Sequence, residues 1–312
     1  MFYKIKYRQA VKKIIMAAFF IGAILNTQAQ QLQTTSFMDM QSLFHNAALA
    51  GTQKYNLVGA AYHSQWTSIS GAPKTATVFG SFELPKYKLG IGAVAFNDVT
   101  GPTSRTGINL SFAKHINLNN GAVFSIGIEN KIQQYALNRS KLTATLGADP
   151  ALGTSENKFK YDAGFGIAYV KDEFTLGASV SQLVQSKLNF YVGNLTPTQD
   201  AKLYRHYYFH GTYNWNVDGF TTVSPNAIVT YLPNAPTELA VGVKVEHAET
   251  FWWGIGYRLK QNFSLNAGFN VNKKLSVGYA YDGYVNPISN FSGGSSGHEF
   301  LLRYHIEKKG KN

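Results

Sequence analysis

Residues 122–132 read Ala-Val-Phe-Ser-Ile-Gly-Ile-Glu-Asn-Lys-Ile, and their alternation decides the fold. Phe124, Ile126, Ile128, Asn130 and Ile132 fall on one side of an extended chain, while Val123, Ser125, Gly127, Glu129 and Lys131 fall on the other. Successive side chains of a strand point to opposite sides, so this is a strand with one apolar and one polar face. The separation recurs in 262–271, where Phe263, Leu265, Ala267, Phe269 and Val271 oppose Ser264, Asn266, Gly268 and Asn270. It recurs again where Leu239, Val241, Val243 and Val245 oppose Glu238, Lys244 and Glu246. About fourteen such runs fill residues 54–308, each roughly ten residues long, the length that crosses a bilayer when tilted.

The links between runs alternate in length. Even-numbered runs end in short ones: Pro85–Tyr87, Asn119–Gly121, Lys171–Glu173, Asp218-Gly219, His247–Glu249 and Lys273-Lys274. Odd-numbered runs end in longer ones, as at 136–157, 185–202 and 286–297, with Lys260-Gln261 as the expected exception. Tight turns at one end and long loops at the other are the pattern of a transmembrane, antiparallel, up-and-down β-barrel, whose short turns face the periplasm. A water-soluble sandwich would also alternate, but so many uniform consecutive runs favour the barrel. In lipid the sheet must close, because an open edge leaves N–H and C=O groups unpaired. Tyr207, Phe209, Tyr213 and Trp215 share one face, as do Phe251, Trp253 and Tyr257, and such residues suit the interfacial girdles.

The chain's beginning sets its compartment. Lys4, Lys6, Arg8, Lys12 and Lys13 precede the apolar run Ile14–Leu25 and a Thr27-x-Ala29 site, the three parts of a secretory signal peptide spanning residues 1–29. The apolar run is too short for a membrane-spanning helix. Subtracting those five cations from the net charge of +12 leaves +7. An exported chain does not meet nucleic acid, so the excess reads as lysines scattered over loops and turns. Cysteine is absent, which excludes disulfides and thiolate metal sites.

Residues 30–53 form a periplasmic or lumenal segment ahead of the barrel, and 309–312 a tail after it. Apolar residues at 37, 40, 43, 44 and 47, with Ser36 and Asp39 as a capping pair, predict a short amphipathic helix. Glycines recur at period two on the inward side: Gly90 and Gly92, Gly164 and Gly166, Gly254 and Gly256. They leave room at the inner wall, and the segment 36–50 is the expected occupant.

Catalytic chemistry is not expected. His206 and His210 share a polar strand face, but four residues of strand set their backbones about 13 Å apart, too far to chelate one ion. His63, His115 and His305 are solitary in sequence, and neither Gly-x-Ser-x-Gly nor His-Glu-x-x-His occurs. No metal and no cofactor is expected. If the lumen were wet, Glu129, Lys131, Lys244 and Glu246 would line a passive or solute-specific channel.

Between the first two runs stands Gln65-Trp66-Thr-Ser-Ile69-Ser-Gly71-Ala72-Pro73-Lys74-Thr75, physically an outer loop pinned by an aromatic and a proline. This pattern resembles the hallmark of the PorP/SprF family of the type IX secretion system. Phe44–Gly51 is similar to that family's Asn-Pro-Ala-x-x-Gly segment, with Asn46, Ala50 and Gly51 as its motif residues and Ala47 where proline is usual. Further likeness covers 89–101, 162–169, 277–282 and 297–300. The resemblance implies a non-enzymatic outer-membrane barrel that assists export or display of secreted proteins carrying a C-terminal sorting domain, such as surface adhesins. It implies other secretion-system components as partners, and Gln65, Trp66, Ile69, Gly71, Ala72, Pro73, Lys74 and Thr75 as partner-binding residues. Periplasmic coupling would then need separate proteins meeting the short turns or the N-terminal segment.

Overall fold

The structure, a computed structural model, describes residues 34–141, 156–188, 202–233, 235–272, 274–285 and 296–308. Chain contacts define two units, Gln31–Pro233 with Thr237–Asn312, and Met1–Gln30 with Asn234–Pro236. Of the second, only Ala235 and Pro236 are described, in irregular backbone. The first unit carries all the strands: β1 (Asn56–Ser64), β2 (Lys74–Leu84), β3 (Leu89–Thr100), β4 (Thr103–Asn117), β5 (Val123–Leu137), β6 (Glu156–Val170), β7 (Phe174–Ser181), β8 (His206–Tyr213), β9 (Trp215–Asn216), β10 (Thr221–Tyr231), β11 (Glu238–His247), β12 (Phe251–Arg258), β13 (Asn262–Asn270), β14 (Leu275–Tyr284) and β15 (Ser296–Ile306). β8 and β9 are two pieces of one stave, interrupted at Asn214 and both paired with β10. Each stave pairs antiparallel with its sequence neighbours, and β15 pairs with β1 from Asn56↔Ile306 to Ser64↔His298. The result is a closed barrel of fourteen staves with no unpaired edge.

Side-chain exposure fixes which face meets lipid. Ile132 is 59% exposed and Leu265 52%, whereas Glu129 and Lys131 are each only 7% exposed. Apolar side chains therefore cover the outside and polar ones point into the lumen, the reverse of a water-soluble fold and the arrangement a bilayer requires. Phe209, Trp215, Phe251, Trp253 and Tyr257 all lie on the exposed outer face. Among the described residues no helix is long and apolar enough to cross a membrane.

Two details depart from the sequence reading. β3 and β4 extend until only Gly101 and Pro102 separate them, so the long-loop end carries a second short link besides the one at Lys260. Gly101 turns this corner with φ of 55°. Among its described residues the N-terminal segment forms no amphipathic helix, only two 3-10 turns, Ser42–Phe44 and Ala47–Leu49. Its expected cap residues are committed elsewhere: the Ser36 hydroxyl donates to Asp282 and Asp39 pairs with Lys244 at 2.9 Å. Its apolar residues disperse around the lumen instead of sharing one face. Phe37 meets Trp252 edge-on at 5.7 Å, Phe44 meets Phe79 at 6.4 Å, and Leu43 lies against Gly92.

The segment supplies what the lumen lacks. Phe37, Met40, Leu43 and Ala50 join inward-facing Leu57, Phe79, Val94, Trp252 and Leu301 in one buried apolar cluster. Removing the Phe37 ring should cost about 3–5 kcal/mol through lost burial and an unfilled cavity. Phe37→Ala is expected to lower the temperature at which the barrel loses its compact, fast-migrating form on heat-modifiability gels. A photo-crosslinker at Phe44 is expected to capture β2 at or beside Phe79.

Candidate functional site: the filled lumen and the outer loop

Residues 46–51 make a floor across the periplasmic end of the lumen, and hydrogen bonds tie each residue type to a particular stave. Asn46, 1% exposed, caps the second 3-10 turn by accepting from Ala48 N–H at 2.9 Å, while its amide donates to the Ile167 carbonyl at 3.0 Å. The same amide nitrogen lies 2.9 Å from His210 Nε2. Ser125 donates to the Ala48 carbonyl at 2.6 Å, and His115 Nε2 lies 3.0 Å from the Ala50 carbonyl. Gly51 N–H donates to Ser81 at 2.8 Å, and its carbonyl accepts from Lys308 at 2.9 Å. Gly51 sits at φ of 72°, a conformation that disfavours any residue with a Cβ.

Glycines of the wall make this approach possible. A Cβ on Gly90 would enter the Ala50 carbonyl, and one on Gly127 would enter the backbone of Ala47 and Ala48. The floor is thus keyed to the wall by shape. His45, beside His210 with ring centroids 4.8 Å apart, is held well below its ordinary pKa, first by burial and then by that neighbour.

A second set of contacts lies toward the outer end. Thr35 donates to Glu299 at 2.8 Å, Ser36 N–H to Glu299 at 2.7 Å, and the Gln41 amide to Glu299 at 2.9 Å. The Ser36 hydroxyl lies 2.9 and 2.8 Å from the two oxygens of Asp282. His63 bridges wall and segment, with Nε2 3.0 Å from Asp282 and Nδ1 3.1 Å from the Thr34 carbonyl. Ser36, His63 and Asp282 together do not form a hydrolytic triad. The serine is bound to the carboxylate rather than the imidazole, so nothing withdraws its proton toward His63. Among the described residues no group of three or more His, Asp or Glu side chains is placed to hold a metal ion.

The outer loop is stitched to this assembly. Gln65 is buried; its backbone N–H donates to the Pro73 carbonyl at 3.0 Å and its side chain to Thr34 Oγ1 at 3.0 Å. Trp66 adopts φ of 47° and packs edge-on against Tyr284, with ring centroids 6.0 Å apart. Ile69 N–H donates to the Trp66 carbonyl at 2.8 Å and Ala72 N–H to the Ile69 carbonyl at 3.1 Å. Gly71, at φ of 76°, accepts from Gly101 N–H at 2.7 Å, which docks the loop on the β3–β4 corner. Pro73 is buried, and Thr75 points inward to donate to Asp98 at 2.7 Å. Of the motif positions, Gly71 and Lys74 are exposed, together with the intervening Thr67, Ser68 and Ser70; Trp66, Ile69 and Ala72 are half-buried.

Sequence reasoning missed the wall residues Asp282 and Glu299 and their partners Thr35, Ser36 and Gln41. The sequence signals were an inward carboxylate on each of two late strands and the family likeness over 277–282 and 297–300, which contain them.

Residues 26–304 match the family described as type IX secretion system membrane protein PorP/SprF. The chain belongs to this family. No curated protein matches it in sequence. Among solved structures, the PorP/SprF chain is similar to the toluene transporter TbuX of Ralstonia pickettii at 10% identity and a TM-score of 0.50, over 85% of this chain and 93% of that one. It is also similar to a Pseudomonas aeruginosa FadL homologue at 13% identity and a TM-score of 0.48, over 85% and 93% of the two chains. A third relative is Acinetobacter baumannii Omp33, at 7% identity and a TM-score of 0.48, over 82% of this chain and 100% of that one. At 10% identity the likeness to TbuX concerns the outer-membrane barrel fold alone. This PorP/SprF protein is accordingly a multi-pass β-barrel of the outer membrane.

Asn46→Ala removes a turn cap and two wall contacts, each net hydrogen bond being worth about 1 kcal/mol. It is expected to lower the unfolding midpoint and to make residues near 46 cleavable by protease in an intact barrel.

Proposed function

We propose that this PorP/SprF protein is a non-enzymatic scaffold whose ordered outer loop helps to export or hold a secreted protein bearing a C-terminal sorting domain, such as a surface adhesin. The observation that supports the reading is the set of hydrogen bonds that ties down the loop between β1 and β2. Gln65 fastens it to the N-terminal segment, Gly71 to the β3–β4 corner and Thr75 to Asp98. A loop held at three points presents Thr67, Ser68, Ser70 and Lys74 without a further ordering cost on binding. A partner that stays attached would bury roughly 2,000 Å², so neighbouring outer loops would share the contact. Other type IX secretion components are the partners expected at the periplasmic turns.

A passive or solute-specific channel is the other reading, and the wall charges weigh against it. Lys131 pairs with Glu129 at 3.1 Å, and Lys244 is engaged by Asp39 of the segment that fills the lumen. The purified barrel is therefore expected to show no steady conductance in planar bilayers. In cells, Ser68→Glu, Ser70→Glu and Lys74→Glu combined should leave the amount of folded barrel unchanged and reduce surface display of sorting-domain cargo severalfold. Undiminished display of every such cargo would refute the scaffold.

A further inference from the structure

His63 is caught between two acceptors. Its Nε2 lies 3.0 Å from an oxygen of Asp282 and its Nδ1 lies 3.1 Å from the Thr34 carbonyl. A carbonyl has no proton to give. Asp282 accepts from the Ser36 hydroxyl and the Asn262 amide as well, the part of an ionised carboxylate. A neutral imidazole has one N–H and serves one such partner, whereas the imidazolium serves both. The geometry therefore calls for a proton on each ring nitrogen, in a side chain that is buried.

The surroundings suit that cation. Glu299 stands directly opposite His63 across the pairing of β15 with β1, and both it and Asp282 of β14 are buried. On the other side Thr75 of β2 faces His63 and leads to Asp98 of β3. Glu238 of β11, Arg258 of β12 and Tyr284 of β14 line the same small cavity, and Glu238 is paired with Arg258 at 3.5 Å. His298, the residue before Glu299, lies against Tyr279 at 2.6 Å. The N-terminal segment brings Thr34, Thr35, Ser36 and Gln41, none of them ionisable. Carboxylates titrate well below about pH 6.5, and tyrosine and arginine from about pH 10 upward, so the imidazolium is the charge that mild alkali removes.

Removing one proton changes what holds the outer loop. The charge-assisted bond to Asp282 keeps the remaining proton on Nε2, which leaves Nδ1 and the Thr34 carbonyl as two acceptors face to face. The donor at hand is the Gln65 amide, 3.4 Å from Nδ1, which donates to Thr34 Oγ1 at 3.0 Å. Turning to Nδ1, it releases Thr34.

We propose that the second proton on His63 clamps the outer loop: with it Thr34 is held by both His63 and Gln65, and without it both ties are lost and the loop between β1 and β2 loosens. The inference concerns regulation of the loop and rests on the scaffold reading for what the loop does. Its test reads loop order rather than cargo display, so the two stand or fall separately.

Because the chain has no cysteine, a single spin label reports cleanly. It is attached through Ser70→Cys, exposed in the loop, or through Asn119→Cys, exposed in a periplasmic turn, and the full mature barrel is held in nanodiscs. In 15N spectra of the unlabelled barrel both ring nitrogens of His63 should be protonated at about pH 6.5, and one proton should leave as the pH rises to about 9.5. Over the same step, and with the same midpoint, the ratio of mobile to immobile label at position 70 should rise at least about tenfold, while the label at 119 stays unchanged. His63→Gln, whose amide keeps a donor for Asp282 and does not titrate, should abolish the response at 70. A neutral His63 at about pH 6.5, or a label at 70 that stays fixed while His63 loses its proton, would overturn the proposal even where the variant does not fold. So would a response that survives His63→Gln, or one shared equally by 70 and 119.

Discussion

A backbone amide in lipid has no water to turn to, and that constraint organises this molecule. It forces every stave to pair on both sides, including the first with the last, and it sends Ile128, Ile132 and Leu265 outward rather than toward a common centre. A cylinder that turns most of its apolar residues to the bilayer keeps only a few inside, among them Leu57, Phe79, Val94, Trp252 and Leu301. The N-terminal segment answers this deficit. Phe37, Met40 and Leu43 give the lumen an apolar centre, and the hydroxyl and amide groups around them meet the polar wall.

The same segment links the lumen to the cell-surface side. Gln65 begins the outer loop and donates to Thr34, the residue next to the Thr35–Ser36 pair that engages the wall carboxylates. Loop and segment are thus neighbours in one hydrogen-bonded assembly. The family motif contains residues of two kinds: Gln65, Pro73 and Thr75 build the loop, while Lys74 and the serines between them face solvent. Much of what distinguishes the motif is therefore architecture, which explains why Pro73 and one glycine at positive φ, Gly71, stand in it.

The strands were legible because period two is a local property and lipid makes the contrast between faces steep. β2 and the pairing of short turns with long loops could be read directly from residues 74–84 and their neighbours. Events that depend on a single backbone angle were not. β7 stops at Ser181 where Gln182 takes φ of 59°, and no residue type there announces it. The stave of β8 and β9 breaks at Asn214 although Tyr213 and Trp215 keep the alternation in phase. The helix expected over residues 36–47 failed for a different reason. A spacing of three and four implies one receiving surface, whereas a lumen surrounds its guest, so Phe37 and Phe44 find different walls. The family was legible from the Gln65–Thr75 pattern, but the carboxylates at 282 and 299 were not, since they meet Thr35 and Ser36 only across some 250 residues of chain.

His63 and Glu299 lie directly opposite each other across the pairing of β1 with β15. Before that last seam is sewn the two belong to opposite ends of an open ribbon: Asp282 and Glu299 stand on the paired strands β14 and β15, whereas His63 and Gln65, which hold Thr34, stand at β1. The floor is keyed chiefly to earlier staves, through Gly90 and Gly127, although Lys308 beyond the last strand also reaches the Gly51 carbonyl. The contacts of Thr34, Thr35 and Ser36 thus straddle the join of the ring: a stretch of three residues touches the first strand and the last two at once.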